Sequence, residues 1–261
     1  MSRHLLVAAI AMANLATAHA ADYFFSTGNP DSRLAAGSRP AGSGQLEIET
    51  ADDFVLTSPD RIDSASIVGW LPATASAASV DQVSVKIYRV FPLDSSDPPS
   101  GHVPTRVNSP SDTVFQTRSS GTNSLTYSVS VIAPGYFLAN SVLIGINPFP
   151  NQTTGGEGPV NGSEAQFILV FHPPLSLASG HYFFVPQVHL VADNFLWSSA
   201  SRPIAAPGTP FTNDLQSWIR NASLSPDWLR VGTDIIGGTP TFNHAFQLIG
   251  VDDSIFSNGF D

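Results

Sequence analysis

At 261 residues and 42% hydrophobic content, the chain can bury a sizeable core as one large domain or two small ones. It carries 11 Lys+Arg against 21 Asp+Glu, a formal net charge of −10, and Lys86 is its only lysine; a basic patch for nucleic acid or anionic lipid needs clustered cations and is excluded. The absence of cysteine excludes disulfides and thiolate metal sites, and 21 prolines with 20 glycines disfavour long helices and favour turn-rich β structure.

The chain opens on Met-Ser-Arg-His, followed by an apolar run from Leu5 to Ala18 broken only by Asn14 and Thr17. That is a short basic segment and an apolar stretch too short to span a bilayer, which takes about 20 residues. Ala18-His19-Ala20 completes the small-x-small signature of a cleaved export signal, with the cut expected before Ala21. The expected location is therefore secreted, either extracellular or periplasmic.

Strand signals follow. Leu46–Thr50, Val83–Tyr88 and Leu125–Val131 alternate apolar and polar residues with period two, the signature of strands with one wet face. Phe167–Phe171 and Tyr182–Val185 are apolar on both faces and predict doubly covered strands, as less strictly does Ile67–Leu71. Phe24-Phe25, Phe54–Leu56, Phe195–Trp197 and Ala245–Val251 add candidates. Pro186 places its strand at an edge or in a bulge. About ten strands, each bounded by Gly, Pro, Asn or Asp, predict an all-β fold: a single antiparallel β-sandwich, jelly-roll-like, over residues 21–250. Long Pro/Gly-rich connections span 92–112, 148–162 and 201–227, the last holding one short predicted helix, Thr212–Arg220, capped by Thr212 or Asn213. Residues 251–261 form a tail of different character, expected either to fray or to serve as a sorting segment.

Several stretches carry a resemblance. They include Glu49-Thr-Ala-Asp-Asp-Phe-Val-Leu56, Ile67-Val-Gly-Trp70, Val83–Phe91, Val103–Asp112, Pro150–Gly156, His181–Pro186, Pro207-Gly-Thr-Pro210 and Asp227–Asp234. Over about residues 45 to 250 the chain resembles a group of secreted bacterial β-rich proteins, many of which carry a PEP-CTERM-type sorting tail. The resemblance implies an exported β-rich domain and no particular activity, ligand or catalytic residue. The chain departs from the group at its end: the Pro-Glu-Pro-like motif, apolar span and basic terminus of such a tail are missing. Phe256-Ser-Asn-Gly-Phe-Asp261 instead is similar to the short Phe-x-x-Gly-Phe-acidic endings of some secreted gammaproteobacterial proteins.

Chemistry-bearing patterns are sparse. The His-Glu-x-x-His and Gly-x-Ser-x-Gly motifs and the phosphate-binding glycine loops are missing. A serine-hydrolase triad assembles only in space and stays open. The four glutamates are Glu47, Glu49, Glu157 and Glu164; the first two share one strand face, more as a solvated face than as an acid/base pair. Calcium is the metal ion the composition favours, ahead of a transition metal on His172, His181, His189 or His244. Asp52-Asp53 at the head of Phe54 is its first candidate site, with Asp94, Asp97, Asp193 and Asp252-Asp253 also near strand ends, and turn chemistry is the competing reading. His181 and His189 sit about 26 Å apart at strand rise and cannot share an ion. Trp218 and Trp228, with Asp227 and Arg230 beside them, are the candidate sugar-stacking residues; the competing reading is that they pin the long loop onto the sandwich. Trp197 and Trp70 read as core. Three functions follow in order: a non-enzymatic extracellular or cell-surface protein such as an adhesion or matrix component, a carbohydrate-binding module, and a secreted hydrolase.

Overall fold

The alternation in the sequence is realised as fifteen strands in the computed structural model, which describes residues 22–42, 44–95, 101–146, 153–204 and 214–252. The predicted export signal and Asp253–Asp261 of the tail lie outside the described residues. In chain order the strands are β1 (Asp22–Ser26), β2 (Pro30–Gly37), β3 (Ile48–Leu56), β4 (Asp60–Pro72), β5 (Val80–Val90), β6 (Pro110–Ser119), β7 (Leu125–Leu138) and β8 (Ser141–Val142). They continue with β9 (Val160–Leu177), β10 (Gly180–Leu190), β11 (Leu196–Ala200), β12 (Trp218–Asn221), β13 (Leu229–Arg230), β14 (Asn243–His244) and β15 (Phe246–Asp252). Helical turns are short: Ala77–Ser79, Ser120–Thr122 and Val231–Ile236. Among the described residues no helix is long and apolar enough to cross a membrane.

Two sheets result, and the fold is an all-β sandwich. The larger has nine strands along β1-β15-β4-β11-β2-β8, with β9 and β7 added on the other side of β4 and β14 beside β11. The smaller has six, in the order β13-β12-β3-β10-β5-β6. Pairing is antiparallel except between β2 and β8. Between the sheets, Phe54, Val85, Ile87 and Phe184 of the smaller meet Ile67, Phe167, Leu169 and Phe246 of the larger. The Phe184 and Phe246 rings stack with centroids 5.1 Å apart. Each such side chain stabilises the fold by roughly 1.5–3 kcal/mol on burial. A second core at one end joins Leu34, Ile48, Ile219 and Leu229.

Four expectations are corrected. The polar face of Val83–Tyr88 is not wet: Ser84 is buried beside Gln187, Lys86 is paired with Glu47 and Glu49, and Tyr88 packs edge to face on Trp228 with centroids 5.4 Å apart. Phe167–Phe171 is covered on one face only: Ile168 is 41% exposed and Val170 38%. Pro186 lies in an interior strand. The ladder between β10 and β3 ends at Phe184, two residues before the missing N–H, the Ser38 hydroxyl donates to the Pro186 carbonyl, and the strand shifts register with β5 at His189/Leu190, the bulge that is the other of the two expectations. The helix expected at Thr212–Arg220 does not form over its described residues: Asp214–Ser217 is irregular and Trp218 to Arg220 belong to β12. Thr212 and Asn213 lie outside the described residues, while Trp218–Asn221 pairs with Ala51–Ile48 and its alternation sends Ile219 into the second core.

Candidate functional site

The predicted sugar-stacking residues divide into two groups. Trp218 and Arg230 are partners across the β12–β13 pair and line a polar hollow of about 380 Å³ with Arg202 and Asp214. Trp228 and Asp227 lie apart from it, beneath the covering loops. Trp218 is 1% exposed and Trp228 0%, so neither indole offers a face to a ligand. Trp228 instead donates from its indole N–H to the Ser111 carbonyl at 3.4 Å and takes the Arg220 guanidinium on its ring at 4.2 Å. Asp227 meets Arg106 at 3.4 Å, and Arg230 is held by Asp234 through its Nη2 at 2.7 Å. These four residues close the outer layer of the smaller sheet.

The calcium candidates are separated by the period of the strand. Asp52 and Asp53 are neighbours on β3 and point to opposite sides of it. Asp52 Oδ2 accepts the His244 backbone N–H at 2.7 Å on the inner side. Asp53 Oδ1 accepts the Leu215 N–H at 3.1 Å, and its Oδ2 lies 2.5 Å from His181 Nε2 on the outer side. Both carboxyls are pushed upward by burial, Asp52 further through the nearby charge of Asp53 and Asp53 opposed by His181. Asp214 is pushed up to about 6 by burial, although Arg202 bridges it at 3.1 Å. Among the described residues no three His, Asp or Glu side chains are placed to hold a metal ion.

Glu47, Glu49 and His189 are also engaged. Glu47 and Glu49 do share a face, and both bind Lys86, at 2.6 and 2.8 Å. Glu49 also accepts from Tyr88 at 2.6 Å and from Arg220 at 2.5 Å. Burial pushes its carboxyl up, but the two cations and Tyr88 outweigh this and hold it below the usual carboxylate range. His189 pairs with Asp81 at 3.2 Å. Among the described residues, neither His181 nor His189 is hydrogen-bonded to a serine hydroxyl.

The open cleft is elsewhere, at the end of the larger sheet, and its floor is Trp70, the one indole that reaches solvent. Trp70 lies on the outer side of β4, because Ile67, Gly69 and Leu71 point inward. It rests against Gly162 of β9, where a Cβ would stand 2.5 Å from the indole Nε1 and 2.2 Å from the Leu71 carbonyl. Pro72, Leu143, Val160 and Leu196 wall a cleft of about 300 Å³. The wall at 143–145 is fixed by Glu157, whose carboxylate accepts backbone N–H groups from Leu143 at 2.7 Å, Ile144 at 2.9 Å and Gly145 at 2.7 Å. Asp193 and Asn194 form the rim. Asn194 Oδ1 is taken by Arg39, and the Asp193 carboxylate has no protein partner among the described residues. Asp193 also borders a second hollow of about 400 Å³ beside Thr74, Ser79 and Val191.

Reading Trp70 as core missed this site. The signal was available: inward Ile67, Gly69 and Leu71 leave Val68 and Trp70 on the opposite face by period two. The chain matches no family model, no curated protein and no solved structure in comparison. Fold and site together define a β-sandwich with an aromatic-floored surface cleft.

Proposed function

We propose that this chain works outside the cytoplasm as a non-enzymatic binding or surface component, of the kind found in adhesion or matrix. The observation that carries the reading is where the acid–base side chains are spent. Asp52, Asp53, Glu49 and Asp227 are all buried in structural hydrogen bonds or ion pairs, while the solvent-facing concavity at Trp70 is walled mainly by carbon. Surface recognition uses such concave apolar sites with few polar groups. The Leu5–Ala20 pattern and the resemblance to secreted β-rich proteins support export. The acidic, lysine-poor composition suits an exposed soluble surface.

The test combines fractionation and turnover. The full chain expressed in a Gram-negative host should be recovered outside the cytoplasm with Ala21 as its N-terminus. The purified product should show no turnover across esterase, glycosidase and peptidase substrates. Cytoplasmic retention with Met1 intact, or turnover abolished by Asp53→Asn, overturns the reading.

A further inference from the structure

From the Trp70 cleft we infer a binding site for a neutral oligosaccharide, one sugar stacked on Trp70 and the next running past Asp193 into the adjoining hollow. The inference rests on the reading of the chain as a binding protein and adds the ligand class.

The chemistry is set by what each lining group presents. The Trp70 Nε1 is enclosed and has no partner, so the indole offers the cleft only carbon. A flat apolar ring face with enclosed polar edges suits the C–H face of a pyranose. Pro72, Leu143, Val160 and Leu196 surround that face with further carbon. Hydroxyl groups at the sugar edge need acceptors and donors. Asp193 supplies an unengaged carboxylate, and Asn194 retains an amide N–H₂ group, since only its oxygen is taken by Arg39.

Charge narrows the ligand. The lining carries Glu157 and Asp193 and no cation, on a chain of net charge −10. Arg39 at the rim is spent on Asn194 and the Leu46 carbonyl, so a uronic acid, sulfated sugar or phosphate would meet mainly like charge there. The extent of the site narrows it further. Two hollows of about 300 and 400 Å³ share Asp193 as their common wall, and the second brings the hydroxyls of Thr74 and Ser79. A small organic cation would satisfy Trp70 and Asp193 alone and leave the second hollow unused; an extended, uncharged, hydroxyl-rich chain uses both.

The test is calorimetric titration of the purified chain with cellohexaose, xylohexaose, mannohexaose and chitohexaose, at low and at high salt. At least one should bind, with an affinity that changes little with salt. Trp70→Ala and Asp193→Ala should each weaken it by about tenfold or more, the loss of a stack or a charge-assisted hydrogen bond. Trp70 also packs against the cluster of Ala35, Leu138 and Leu196, so its variant is checked for an unchanged melting transition; Asp193 is exposed and carries the test independently. Absence of heat with all four sugars overturns the inference, as does binding that survives both substitutions. Tetramethylammonium binding that displaces the sugar and falls with salt also overturns it, in favour of a cation site. Because the titration uses purified chain, it gives the same answer wherever the protein acts. A failure of export therefore counts against the broader reading alone.

Discussion

Arg220→Met tests whether the outer face of the smaller sheet is dry. The Glu49 carboxylate is 3% exposed and receives Arg220 Nε at 2.5 Å, Lys86 Nζ at 2.8 Å and the Tyr88 hydroxyl at 2.6 Å. Arg220 also donates to the Pro226 carbonyl at 3.0 Å and lies over the Trp228 ring. Methionine keeps much of the stem over Trp228 but removes the charge, leaving Glu49 buried with one cation. Breaking a buried pair in this way costs about 3–5 kcal/mol. Glu49→Leu alone strands the guanidinium and falls in the same range. The double variant removes both charges together and leaves Lys86 paired with Glu47, so it should cost less than the sum of the singles by about 3 kcal/mol. Urea denaturation at neutral pH with all four proteins closes the cycle. Single costs below about 1 kcal/mol, in the range of exposed ion pairs, or strictly additive costs would refute the reasoning, because both outcomes describe charges screened by water.

Asp52→Asn should change the pH dependence of stability. Burial raises the Asp52 carboxyl, so the stability tied to its protonated form is complete below the unfolded value near roughly 3.9 and is lost as pH rises through the folded value. Denaturation from pH 4 upward should therefore show the variant gaining on the wild type by at most about 1.4 kcal/mol per pH unit. Taking the difference at each pH cancels His244, which burial holds down to about 4 and which loses its contribution in the opposite direction, as pH falls from its unfolded value; a flat difference would contradict the assignment. Gly162→Ala should destabilise by about 1–3 kcal/mol, because the new methyl meets the Leu71 carbonyl and the Trp70 ring, and the melting transition should fall accordingly. Calcium in excess, compared with chelator, should leave the melting temperature unchanged, since Asp52 and Asp53 point to opposite sides of β3.

The strands and their inward faces were legible because period two survives in the sequence: Val83, Val85 and Ile87 face the core as the alternation requires. What lies on the other side of a sheet was not legible. Ser84, Lys86 and Tyr88 read as a wet face, yet side chains distant in sequence, Gln187, Glu49 and Trp228, enclose them. Phe167–Phe171 reads as doubly covered, yet its outer side stays open. Alternation reports which residues share a face, and only tertiary packing decides whether that face meets water. The same limit governs the tryptophans. Trp218 and Trp228 sit in a long polar, proline-rich segment and read either as sugar-stacking residues or as pins that hold the segment on the sandwich; both are buried, as the second reading requires. Trp70 sits in an apolar run and reads as core, although its register already placed it opposite Ile67 and Leu71. The pairing of Asp53 with His181 joins positions far apart in the chain and becomes visible only when β3 and β10 are set in register.

Graded oxidation of the indoles with N-bromosuccinimide, followed by peptide mapping, tests most directly which surface meets the ligand. The chain has four tryptophans, and Trp197, Trp218 and Trp228 are enclosed. The peptide containing Trp70 should be modified first, and the hexasaccharide that binds should protect it. Modification of Trp218 or Trp228 at a rate matching or exceeding that of Trp70 would contradict the account, and for Trp218 would move the binding surface to the hollow beside Arg202 and Asp214.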